Sequence, residues 1–123
     1  MRRFMCAKTT GRDWKLRVND ILICIEKIQS YTTGMTYEQF RQDDRTIDAV
    51  IRNLEIIGET AGYIPEVIQE KYPELAWLEM RGMRNIMIHE YFGVSLPIIW
   101  RTITHDLSPL AEGMKRLLNE AGS

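Results

Sequence analysis

From Asp13 onward the apolar side chains recur at three- and four-residue steps, and no stretch alternates apolar with polar long enough to propose a strand. That periodicity restricts the chain to helices packed on one another. Trp14, Val18, Ile21, Leu22, Ile25 and Ile28 mark a first amphipathic helix that ends near Gly34. Thr36 and Gln39 have capping-box spacing and open a second helix, with a break at Asp43-Asp44, that continues through Ile47, Val50, Ile51, Leu54, Ile57 and Ala61. Gly58, Ala61 and Gly62 are small, so this helix is expected at the centre of the fold with at least one neighbour packed closely. Ile56 falls outside the stripe and is expected to be exposed.

Proline and glycine punctuate the rest. Ile64-Pro65 and Tyr72-Pro73 bracket a short connector helix, with Pro65 at its first position. A third long helix is expected from Leu75 to Phe92, stopped by Gly93. Ser95 is expected to cap a fourth through Ile103, with His105 at its end, and a last amphipathic helix follows Ser108-Pro109. The expected fold is all-α: an up-and-down bundle of four to five helices with a short connector, over residues 12–123. Residues 1–11 have no periodic pattern and read as a flexible extension.

With 16 Lys plus Arg against 17 Asp plus Glu, the chain is not a broadly basic coat for duplex DNA, and any nucleic-acid contact must come from a local cluster. Cys6 and Cys24 form no CxxC pair, which argues against a disulfide framework or a zinc site. The longest apolar run, at Ile21–Ile25, is too short to span a membrane, and Phe4–Ala7 is too short for the apolar part of a signal peptide. A cytoplasmic protein is expected. Neither a glycine-rich phosphate loop nor GxSxG occurs, and His89-Glu90 lacks the second histidine of a zincin helix.

The chemically dense segment is Arg81-Gly82-Met83-Arg84-Asn85-Ile86-Met87-Ile88-His89-Glu90-Tyr91-Phe92-Gly93. At about 100° per residue, Arg84 and Tyr91 fall within roughly 20° of each other, Asn85 and His89 within roughly 40°, and Arg81 lies between the pairs. Met80, Met83, Ile86 and Met87 form a core stripe opposite them. Histidine moves protons near neutral pH, and arginine offers a charged planar fork to a phosphate, so the set suits phosphodiester cleavage. One helix makes a thin site, whereas a dimer would bring two histidines and at least two arginines to one phosphate. The plainer readings are a helix-end histidine at His89, an ion pair of Arg84 with Glu79 or Glu90, and a core-edge Tyr91. Arg52, Glu55 and Glu59 share one side of the second helix, where they either face the motif helix or form a solvated charge ladder. Asp43 and Asp44 read as turn residues, with no metal site.

Arg84–Tyr91 resembles the RxxxxHxY signature of the HepT-like HEPN family, and Asn85 is the polar residue typical after its arginine. Arg12-Asp13-Trp14, Ile51–Glu59, Trp77 and Tyr91-Phe92-Gly93-Val94 extend the resemblance over residues 12–120. Ala76 and Arg81 depart from it, standing where proline and a small apolar residue are common. The resemblance implies a homodimeric, metal-independent RNase toxin that needs no cofactor and whose motif helices meet at the interface. It further implies a partner, a minimal MntA-type nucleotidyltransferase antitoxin that transfers AMP to the motif tyrosine. Carried over, Arg84 and His89 are catalytic, Asn85 supports them and Tyr91 is the modified residue; Arg81, Glu59 and Arg52 are candidate supporting residues. The RNA 2′-hydroxyl would be the nucleophile, and no DNA or membrane partner is expected. A different class of function is also consistent: a catalytically silent dimer that binds nucleotides or docks the nucleotidyltransferase.

Overall fold

The computed structural model describes residues 13–89 and 95–122, with side chains for 14–84 and 95–120. Among these the protein is all-α, without a strand. Helix α1 (Asp13–Thr32) buries Trp14, Val18, Ile21, Cys24, Ile25 and Ile28, so the expected stripe is the core face, with Leu22 at its edge. Gly34 reverses the chain at φ +80°, a conformation that a Cβ disfavours.

The second expected helix is two. Thr36 and Gln39 form the capping box, Gln39 N donating to Thr36 Oγ1 at 3.1 Å and Thr36 N to Gln39 Oε1 at 3.0 Å, but the helix it opens, α2 (Tyr37–Arg41), is short. Phe40 seats that turn in the core, 5.1 Å from the Trp100 ring. The break at Asp43-Asp44 is a new helix start: Asp43 caps α3 (Asp44–Ala61), accepting from Thr46 N at 3.1 Å and Thr46 Oγ1 at 2.8 Å.

Helix α3 is central, packing on α1 and on the later helix at Trp77–His89. Val50, Ile51, Leu54, Ile57 and Ala61 are buried, and Ile56 is half-buried against the core rather than exposed, because α3 has neighbours on more than one side. The connector is α4 (Glu66–Lys71), with Pro65 at its N-cap rather than inside its first turn. Tyr72 O accepts from the Trp77 indole at 2.9 Å, tying the connector to the start of α5 (Trp77–His89). Leu75 precedes that helix, its N–H used in a turn to Tyr72 O at 3.1 Å.

The largest departure from expectation is at the C-terminal end. α6 (Leu96–Arg101), a π-helical turn (Thr102–Asp106) and α7 (Leu107–Gly122) follow one another without a break, so Ser108-Pro109 opens no new helix and His105 lies inside a continuous helical run. Pro109 has no N–H to give the preceding turn, and the wide π turn just before it accommodates the missing donor. Ser95 is the N-cap of α6 by position, but its hydroxyl makes no capping bond; Pro97 in the first turn reduces the need for one. α7 lies against α1, where Gln29 Nε2 donates to Ser108 Oγ at 3.1 Å. Among the described residues no helix is long and apolar enough to cross a membrane.

Candidate active site

The site is built where α5 crosses α3. Trp77 and Met80 point into the core, 6% and 1% exposed, and hold α5 down while Arg81 and Arg84 stay at the solvent edge. The approach is close because residue 58 has no side chain: a Cβ there would lie 2.6 Å from the Arg84 backbone nitrogen and 2.8 Å from the Met80 carbonyl oxygen. Beside this crossing is an open cavity of about 340 Å3 lined by Gly58, Glu59, Gly62, Tyr63, Arg81 and Arg84. The two glycines contribute floor without side chains.

Two arginines and one glutamate line this space, so the lining is net positive. Neither arginine is spent on an ion pair within 4 Å among the described residues, which rules out the expected-alternative pairing of Arg84 with Glu79. An arginine is charged at any ordinary pH and offers paired donors to phosphate oxygens, so the cavity is suited to an anionic, planar or tetrahedral group. Tyr63, 47% exposed, forms part of the rim. Behind it the guanidinium carbon of Arg17, a residue only 4% exposed on α1, sits 4.6 Å from the ring centroid.

Of the residues singled out from sequence, Arg81, Arg84 and Glu59 come together around this cavity. Arg52 does not: it is exposed and lies 3.6 Å from the half-buried Glu55 in an i,i+3 pair, the charge-ladder arrangement. Asn85 and His89 follow Arg84 on the helical backbone of α5, their side chains outside the described residues. Tyr91, Glu90 and the capping Gly93 also lie outside them, as do residues 1–11. Asp43 and Asp44 serve the start of α3, and among the described residues no cluster of His, Cys, Asp or Glu is arranged for a metal ion. Sequence reasoning missed Tyr63 and Arg17. The one available signal was an aromatic residue directly after Gly62, off the apolar stripe.

The profile of the family described as "Ribonuclease HepT-like" matches residues 21–117, from α1 through most of α7, including every residue that lines the cavity. The chain belongs to the HepT-like family. Curated relatives agree. The chain is 40% identical over 106 residues to "Probable ribonuclease HepT" of Thermococcus cleftensis, covering 86% of this chain and 96% of that one. It is 37% identical over 109 residues to "Putative RNase MJ0125" of Methanocaldococcus jannaschii, covering 89% and 94%. A bacterial relative, "Putative RNase TTE0752" of Caldanaerobacter subterraneus, is 40% identical over 87 residues, covering 71% and 78%. No solved structure matches. Within this HepT-like chain, Arg84 borders a cavity with a net positive lining at the crossing of α3 and α5.

Proposed function

We propose that this HepT-like protein is a metal-independent endoribonuclease that acts in the cytoplasm, the toxin of a toxin–antitoxin pair. The observation that carries the reading is the position of Arg84: exposed, free of ion pairs among the described residues, and five residues before His89 on the continuous helix α5. Arg84 and His89 are the catalytic pair. His89 takes the proton from the RNA 2′-hydroxyl as that oxygen attacks the adjacent phosphorus, and Arg84 stabilises the charge on the phosphorane. The 5′-oxygen leaves with a proton from the second histidine of a homodimer, giving a 2′,3′-cyclic phosphate and a 5′-hydroxyl. Asn85 supports the pair, Arg81 adds charge for the strand, and Glu59 lowers the net positive charge of the lining it shares with Arg81 and Arg84.

Pairing two motif helices in the dimer supplies the second histidine that one helix lacks. The cognate nucleotidyltransferase then silences the enzyme by placing AMP on Tyr91, adding bulk and a phosphate within two residues of His89. The test is end-labelled single-stranded RNA incubated in excess EDTA with the parent, His89→Ala and Arg84→Ala. Cleavage by the parent alone, leaving cyclic phosphate ends, supports the reading. An unmodified, dimeric parent that cuts none of several RNAs overturns it in favour of a silent docking module, and mass analysis of Tyr91 identifies a parent that arrives already modified.

A further inference from the structure

The cavity beside Arg84 has a component that phosphate chemistry does not use. Tyr63, just after α3, lines the cavity, and 47% of it is exposed. Its ring is met from α1: the guanidinium of Arg17, 4% exposed, lies 4.6 Å from the centroid. Burying an arginine carries a desolvation cost, which a ring face offsets in part. The contact takes up part of the ring's surroundings, while Tyr63 as a residue lines the same space as Arg81 and Arg84 and stays half exposed.

An aromatic surface beside two arginines, over a floor made of glycine, matches the two halves of a nucleotide in a single strand. The arginines suit the phosphate, and the ring suits a base splayed out of its stack. The volume, about 340 Å3, falls within the roughly 300–1,000 Å3 typical of small-ligand pockets. We propose that Tyr63 is the stacking platform for one nucleobase of the RNA, next to the phosphate held by Arg84 and Arg81. This inference rests on the ribonuclease reading and adds to it a preference for unpaired RNA, because a base within a duplex is not available to stack on a side chain.

The experiment measures fluorescence polarisation of an end-labelled, 2′-O-methyl single-stranded RNA, which binds without being cut. It compares the parent dimer with Tyr63→Ala, Tyr63→Phe and Tyr63→Trp, and scans the RNA with one abasic position at a time. Loss of one base–aromatic stack weakens binding by roughly 5- to 100-fold. The expected result is a loss of that size in Tyr63→Ala, near-parental binding in the Phe and Trp variants, and one abasic position that weakens the parent but not Tyr63→Ala. The abasic scan on the parent reads the same contact without altering the protein. Parental binding by Tyr63→Ala, or a parent indifferent to every abasic position, overturns the platform; if the parent still cleaves unmodified RNA in EDTA, the ribonuclease reading survives. A parent that neither binds nor cleaves RNA overturns both.

Discussion

Gly58 on α3 and Arg84 on α5 are in backbone contact range, with room for no side chain between them: a Cβ on Gly58 would stand 2.6 Å from the Arg84 nitrogen. The atoms in the way are main chain, which does not swing aside as the end of a flexible side chain does. The position of Arg84 is thus set by a missing side chain on another helix.

Gly58→Ala tests that relationship by opposing two effects. Alanine gains up to about 1 kcal/mol in helix propensity, but overpacking a tight contact costs about 1–3 kcal/mol. Because the clash is with backbone, the second effect prevails and the variant is less stable, with reduced RNA cleavage from a displaced Arg84. Gly82 is the control: it is also helical, and nothing lies within 4 Å of its added Cβ. Gly82→Ala is expected to be neutral or stabilising by up to about 1 kcal/mol. Urea unfolding of both variants and the parent measures the difference.

The two cavity arginines should separate kinetically. Arg84→Ala, removing a donor to the transition-state charge, lowers kcat by roughly 100- to 1,000-fold. Arg81→Ala acts on strand binding, raising KM and flattening the dependence of affinity on salt, with a smaller change in kcat. Equal kcat losses in both variants would count against this division.

Glu59 is the one carboxylate among the described residues that line the cavity. Glu59→Gln leaves the lining more positive and tightens RNA binding at low salt, a gain that shrinks as salt screens the exposed charges. Polarisation titrations at two ionic strengths give the result directly.

Asp43 predicts a pH dependence. Hydrogen bonds from the Thr46 amide and hydroxyl favour its charged form and hold its pKa below the ordinary carboxylate value. The stabilisation is therefore complete above the unfolded-state pKa, near 3.9, and is lost as pH falls through the lower folded value. Asp43→Ala should melt below the parent at pH 7, and the gap should close in acid. Thermal melts at a series of pH values follow it.

Cys24 carries the opposite sign at the other end of the scale. Burial raises its thiol from 9.0 to about 11. The folded chain then keeps a proton that the unfolded chain releases, so stability falls as pH rises from about 9 toward 11 and is unaffected near neutrality. Cys24→Ala should lose less stability than the parent across that interval. In the parent at pH 7.5, alkylation of Cys24, located by peptide mass, should proceed only through unfolding.

Much of this fold is written in local pattern. The core faces of α1 and α3, the capping box at Thr36 and the burial of Met80 follow from residue spacing, because a helix converts spacing directly into a face. The same conversion placed Arg81 and Arg84 together, and small residues at 58 and 62 announced a close neighbour without naming it. Spacing failed where an outcome depends on a partner. The break expected at Asp43-Asp44 is there, as the start of α3, but Pro109, a breaker by itself, stands inside a continuous run just after a π turn. Arg52 and Glu59 looked equivalent on one side of α3, yet one pairs with Glu55 along its own helix and the other lines a cavity with the arginines of α5. Tyr63 and Arg17 are far apart in the chain and meet only because α1 and α3 pack side by side. Residue spacing alone was enough for the helical class and the buried faces of α1 and α3; which exposed residues share a cavity depends on how close two helices approach, which only their packing sets, and here a single glycine permits it.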